Sequence, residues 1–134
     1  MGRKHILTIL SVLFSSADVI ILDEPTLGLD NDLKEKLKQI VYYLKAQGKS
    51  VIMISHEIPL VFELSDHVYL LNEGKSMFFG SKEQMIEHSQ LLEDVKIAVP
   101  PVVKLAKKFG FDSGIVTAKQ LADAIESEVK GGQA

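Results

Sequence analysis

Two adjacent carboxylates, Asp23 and Glu24, stand at the end of an apolar run, Val19-Ile20-Ile21-Leu22, and Pro25-Thr26 follows them. A second apolar run, Val51-Ile52-Met53-Ile54, ends in Ser55-His56. Neighbouring carboxylates repel, and one common reason to keep them together is a cation. One helix length separates the two runs. If they form parallel neighbouring strands, their C-terminal ends share the edge of the sheet where ligands bind. At that edge the first carboxylate can support Mg²⁺, the second can orient an attacking water, and the imidazole can donate to a phosphate oxygen. Those are the parts that phosphoryl transfer requires. The bland alternatives are a solvent-facing acidic turn and a structural histidine. Leu29-Asp30 behind the pair, and the strand-end position of His56, weigh against them. His5, His67 and His88 have no comparable setting and read as surface or boundary residues.

The elements that must position these groups follow from periodicity. Ile6, Leu7, Leu10, Leu13 and Phe14 make the apolar face of a helix over residues 3–15. The run 19–22 lacks polar alternation and reads as a strand covered on both faces, as in a parallel sheet. Leu33, Leu37, Ile40, Val41 and Leu44 form one stripe of a helix over 31–47, with Lys34, Glu35, Lys38 and Lys45 off it. Asp30 reads as its N-cap and Gly48 as its C′ residue. A strand over 50–54 and a short helix started by Pro59 come next. Val68–Leu71 and Ser76–Phe79 flank the turn Asn72-Glu73-Gly74-Lys75 as a hairpin, which Gly80 ends. Ser81 and Gln84 make a capping box for a helix reaching about residue 88. Pro100-Pro101 is the best internal boundary. Beyond it lie two short amphipathic helices, the second opened by Thr117 with Gln120 in a capping box, and Gly131-Gly132 marks a frayed tail. The order of helices and strands up to residue 64 argues an α/β fold with parallel strands.

Composition excludes several classes. The 134 residues suit one domain or at most two, and the net charge of −3 gives no pull toward nucleic acid. Tyrosines and phenylalanines are not interleaved with basic residues, so base stacking has no support. Cysteine is absent, which removes disulfides and thiolate metal sites. The first residues do not form a signal peptide, and no apolar run reaches the ~18 residues of a spanning helix, so direct membrane insertion is not expected. Two decoys fall away. Gly48-Lys49-Ser50 and Gly74-Lys75-Ser76 resemble the end of a phosphate-binding loop, but Tyr43 and Tyr69 occupy the position of its first glycine.

These residues resemble the ABC ATPase family. Val19–Glu24 is similar to its Walker B strand, Leu27–Asp30 to its D-loop and Ser55-His56 to its switch histidine. Val68–Gly80 resembles the hairpin that follows in transporter ATPases. The tail, with Pro100-Pro101-Val102-Val103 and the Thr-capped helix, is similar to the C-terminal extension of energy-coupling-factor ATPases, which are related to the cobalt and nickel importer ATPases. The resemblance implies a partial P-loop NTPase fold: a parallel sheet flanked by helices, a β-hairpin and a helical extension. It places residues 1–90 in the C-terminal part of the ATPase domain and residues 91–134 in an extension that helps two subunits pair. It implies an ATP-driven importer subunit using ATP and Mg²⁺. Glu24 would be the general base or water-orienting residue, and Asp23 would support Mg²⁺ through water. His56 would contact the γ-phosphate, and Asp30 would act across a dimer interface. Gly2, left from the signature Leu-Ser-Gly-Gly-Gln, would touch nucleotide. The implied partners are a second ATPase subunit, identical or not, and a transmembrane transporter subunit. They would hold the chain at the cytoplasmic face of the cell membrane.

The family's Walker A loop, its lysine and its glutamine loop are missing from residues 1–134. Walker A supplies most phosphate binding, so the chain alone is expected to bind and hydrolyse ATP poorly. The strand beside Walker B would be missing too, leaving a sheet edge and an apolar face open to self-association or a complementary segment. Two other readings compete. One is the C-terminal lobe of an ABC-class DNA-repair or chromosome ATPase, which the lack of heptads and the hairpin at 68–80 disfavour. The other is a non-catalytic assembly or regulatory module that pairs with an intact ATPase.

Overall fold

The computed structural model describes residues 16–111 and 114–131. The helix expected over 3–15, and Gly2, lie outside them. Backbone contacts divide the chain into two compact units, Met1–Glu57 and Ile58–Ala134.

The first unit is a strand–helix–strand motif. Strand β1 (Val19–Asp23) pairs in parallel with β2 (Ser50–Ile54), and helix α1 (Asn31–Ala46) connects them and packs against β2. The stripe expected on α1 is the buried one: Leu37, Ile40, Val41 and Leu44 are covered, and Leu33 is half-buried. Leu37 and Leu44 are 0% exposed, and each such burial stabilises by roughly 1.5–3 kcal/mol. Asp30 caps the helix, its Oδ1 accepting from Leu33 N at 2.9 Å. Gln47 is the C-cap, and Gly48 follows with φ +74, the left-handed turn that a glycine makes without a Cβ clash. Both decoy glycines are thereby accounted for: Gly48 leaves a helix and Gly74 sits in the turn of a hairpin.

One sequence expectation fails here. β1 is not covered on both faces. Ile20 and Leu22 are buried, but Val19 and Ile21 are exposed, as are Ile52 and Ile54 of β2. The sheet has two strands among the described residues, so α1 has only one face to cover. The opposite face presents Val19, Ile21, Ile52 and Ile54 as an exposed apolar surface.

The second unit holds a helix, a hairpin and four further helices. Helix α2 (Ile58–Leu64) precedes the antiparallel pair β3 (His67–Asn72) and β4 (Lys75–Ser81). Pro59 is the second residue of α2 rather than the first. Gly80 does not end the hairpin; it pairs with Val68 inside β4. A Cβ there would lie 2.6 Å from Gln84 Oε1 and 2.8 Å from the Phe78 ring, so the missing side chain makes room for the next cap. That cap is the expected box: Gln84 N donates to Ser81 Oγ at 3.2 Å, and Ser81 N donates to Gln84 Oε1 at 2.9 Å. It opens α3 (Lys82–Glu87). A short helix α4 (Gln90–Asp94), not anticipated from the pattern, leads to α5 (Pro101–Lys108) and α6 (Ala118–Gly131). Thr117 and Gln120 form the second box, and α6 extends through Gly131, while Gly132, the other glycine of the expected tail, lies outside the described residues. Phe62, Val68, Leu70, Met85, Ile86, Leu92, Val99, Val103 and Val116 form one buried cluster. The segment after Pro100-Pro101 therefore shares a core with the hairpin. No helix among the described residues is long and apolar enough to cross a membrane.

Truncating a fully buried leucine and removing an exposed cap differ in cost. Leu37→Ala is expected to lower stability by about 2–5 kcal/mol, and Ser81→Ala by about 1 kcal/mol. Urea unfolding of the two variants checks both the losses and their order.

Candidate functional site

The ladder between β1 and β2 aligns Val19 with Ser50 and Asp23 with Ile54. One more hydrogen bond, Glu24 N to Ile54 O at 2.9 Å, carries the pairing past the strand end. The loops that carry Glu24 and His56 therefore leave the same edge side by side. Here the backbone changes hand: Glu24 has φ +43. A residue with a side chain in that region costs on the order of 1–3 kcal/mol, and such residues cluster at functional sites. Asp23, the last residue of β1, is exposed, and Glu24 beside it is partly covered. Pro25 and Thr26 are buried, and bonds from Leu27 N to Glu24 O (3.1 Å) and from Leu29 N to Thr26 O (3.0 Å) wind the loop toward Asp30.

His56 meets Glu24 directly, Nδ1 to Oε1 at 2.9 Å. The sequence anticipated both residues, and the structure brings them together. An ionised carboxylate only accepts, so Nδ1 must carry the proton. In a neutral ring Nε2 is then a bare acceptor. Only the imidazolium offers Nε2–H to a phosphate oxygen. The hydrogen bond that His56 donates to Glu24, and then the charge of Glu24, raise the His56 pKa above 6.5 against desolvation, with the smallest contribution from the charge of Glu57. The site therefore favours the protonation state that the anticipated phosphate contact needs. The imidazole is 79% exposed, so a solvent-borne ligand can reach it.

The other oxygen of Glu24 is unusual. Oε2 is buried and has no hydrogen-bond partner among the described residues. A buried acceptor left open in this way is the kind of group that a bound water or ligand satisfies. As for Mg²⁺, no group of three or more His, Asp or Glu that could hold a metal occurs among the described residues. Mg²⁺ usually keeps several waters and binds through one or two carboxylates plus substrate phosphates. Asp23, exposed at the strand end, would be the protein's ligand. Asp30 is placed as the helix cap, and Gly2 lies outside the described residues.

Sequence reasoning missed a second cluster beside the pair. Lys34 Nζ donates to Glu57 Oε1, in a pair whose side chains are each about one-third exposed (28% and 31%). The Thr26 side chain is hydrogen-bonded to the same carboxylate. Burial pushes the Glu57 carboxyl up, but Lys34, Thr26 and the charge of His56 outweigh it and hold it below 4.5. Glu57 N also donates to Ser55 Oγ at 3.1 Å. The available signal was an acidic residue directly after His56. Its partner 23 positions earlier follows no local spacing.

Because the His56 pKa is raised on folding, the Glu24–His56 pair stabilises most fully below 6.5, and that contribution is lost as pH rises through the folded value. In the chain, the His56 ring is expected to titrate with a midpoint above 6.5 and to fall back toward that value in Glu24→Gln. An NMR titration of the histidine ring protons measures both. A midpoint unmoved by the substitution would contradict the pairing.

No protein-family model matches the chain. It is similar to the energy-coupling factor transporter ATP-binding protein EcfA3 of Oenococcus oeni, 34% identical over 82% of this chain and 39% of that protein. It is equally similar to the cobalt import ATP-binding protein CbiO of Salmonella typhi, 34% identical over 81% of this chain and 40% of that protein. The solved structure of cbiO1 from Clostridium perfringens, part of the ABC transporter complex cbiONQ, superposes with a TM-score of 0.57. That match has 27% identity and covers 79% of this chain and 43% of that one. The chain thus spans about two fifths of the length of the curated relatives it matches. Its fold is part of the ABC ATPase α/β fold. Over about four fifths of its own length, then, the chain's relatives are ABC transporter ATP-binding subunits of the energy-coupling-factor and cobalt-import kind, and the solved structure it superposes on belongs to an ABC transporter complex.

Proposed function

We propose that residues 1–134 carry the water-activating part of an ATP-hydrolysing subunit that powers an importer of the energy-coupling-factor type. The observation that supports this most directly is Glu24, with one oxygen bonded to His56 and the other buried and open. In this reading Glu24 orients the attacking water and accepts its proton. His56, kept protonated by Glu24, donates Nε2–H to the γ-phosphate and stabilises the charge that develops there. Asp23 holds Mg²⁺ through water, and that ion supplies charge neutralisation on the phosphate oxygens. Asp30, besides capping α1, acts across the interface with a second ATPase subunit. Gly2 contacts nucleotide in the same interface. Residues 91–134 form the extension through which two subunits, identical or not, stay paired.

The phosphate-binding loop would come from a segment outside residues 1–134. The chain's share of its relatives' length leaves room for one. The exposed apolar residues Val19, Ile21, Ile52 and Ile54 give such a segment a face to cover. The chain alone would then bind ATP poorly. A transmembrane partner would select the transported solute and hold the assembly at the inner face of the cell membrane.

ATP turnover with Mg²⁺ tests the proposal, using the chain alone and mixed with a separately expressed segment that carries the phosphate-binding loop. Turnover is expected only on mixing. It should fall by about 10²–10⁴ in Glu24→Gln and by roughly 10²–10³ in His56→Ala. No turnover from halves shown to associate would instead favour a non-catalytic assembly module. Turnover unaffected by either substitution would remove Glu24 and His56 from the chemistry.

A further inference from the structure

Two bridges join the loop after β1 to the loop after β2. One is Glu24 to His56, already placed at the chemistry. The other is Thr26 to Glu57, side chain to side chain, two residues after Glu24 on one loop and one after His56 on the other. Lys34 on α1 completes the second bridge by donating to the same Glu57 carboxylate. Thr26 is buried, so its hydroxyl needs an internal partner. Ser55 Oγ accepts from Glu57 N at 3.1 Å, which fixes the turn 55–57 and with it the direction in which the main chain presents His56. The imidazole itself is largely exposed, so side-chain packing does little to restrain it. A partly exposed ion pair adds little to stability, so Lys34–Glu57 is poorly explained as a stabilising contact alone.

We infer that Glu57, anchored by Lys34 and Thr26, is a positioning residue that holds the His56 imidazole against Glu24. Its meaning for hydrolysis rests on the proposed function; the restraint itself does not. The Lys34 ammonium and the Thr26 hydroxyl fix the carboxylate, the carboxylate fixes residue 57, and the Ser55 turn carries that constraint back to residue 56. Loss of either anchor frees the ring from Glu24 while α1 and the β1–β2 ladder remain.

The tautomer of His56 reads this restraint in the nucleotide-free chain. With ¹⁵N-labelled protein at a pH where the ring is neutral, the ring nitrogens report whether Nδ1 or Nε2 carries the proton. The native chain is expected to hold the Nδ1–H form, and Glu24→Ala, which removes the acceptor, sets the released reference. Lys34→Met, Glu57→Gln and Thr26→Val should shift His56 toward that reference. Lys34→Arg, which keeps a cationic donor, should retain the native form. Glu93→Gln, which breaks the separate Lys104–Glu93 pair (2.6 Å), should leave His56 unchanged. If Glu57→Gln fails to fold, Lys34→Met and Thr26→Val decide the matter. A native tautomer in Lys34→Met and Thr26→Val, with the backbone amide spectrum otherwise unchanged, would overturn the inference. So would an equal shift in Glu93→Gln, because that would mark a general loosening. As no nucleotide is present, a negative result leaves the hydrolytic reading standing, and absent turnover leaves this one standing.

Discussion

The hydrogen bond from Glu24 N to Ile54 O closes the parallel ladder between β1 and β2, and the site depends on the register it ends. Side chains alternate faces along a strand, so a slip of one residue would turn each one to the opposite face. Ile20 and Leu22 would then give up their covered positions to Val19 and Ile21. The same slip would move Glu24 out of line with the loop that carries His56. The core face and the chemical pair are therefore specified together: the apolar pattern that buries one side of β1 also sets where the carboxylate emerges.

The energies are unequal. The α1 stripe, with Leu37 and Leu44 fully covered, contributes several times what a partly exposed ion pair can, since such pairs contribute about 0–1 kcal/mol. The parallel ladder joins the two strands, and burial of the α1 stripe against β2 stabilises the motif. The polar contacts at the edge choose among conformations of loops already brought close. Glu24 shows the other side of this division. Its left-handed backbone, and its buried oxygen with no partner among the described residues, are both unfavourable locally, and the ladder and helix around it supply the stability to maintain them. Cost concentrated at one residue, in an otherwise regular motif, is what a site needing an open acceptor would show.

Much of this was legible in the residues. Asp23-Glu24 and His56 are readable because their chemistry is distinctive and each follows an apolar run. Asp30, Ser81 with Gln84, and Thr117 with Gln120 are readable because capping is local. Other features were not, for physical reasons. β1 reads as covered on both faces because Val19 and Ile21 are as apolar as Ile20 and Leu22; what covers them is not encoded in the strand itself. Gly80 reads as a break because the pattern cannot show that a Cβ would strike Gln84 and Phe78. The Lys34–Glu57–Thr26 cluster joins three segments through the tertiary fold, and no local spacing announces it. Helix α4 is a single short turn whose buried residue, Leu92, belongs to a core assembled from distant segments.

In the proposed function Glu24 and His56 act as one unit on a phosphate. A double-mutant cycle in ATP turnover tests it most directly, comparing Glu24→Gln, His56→Ala and the pair in the assembled ATPase. Groups that act as a unit are strongly non-additive. The double variant should lose little more than the more damaging single one. Losses that multiply, so that the logarithms of the two single effects simply add, would mean that the two residues work independently and that their hydrogen bond is incidental to the chemistry.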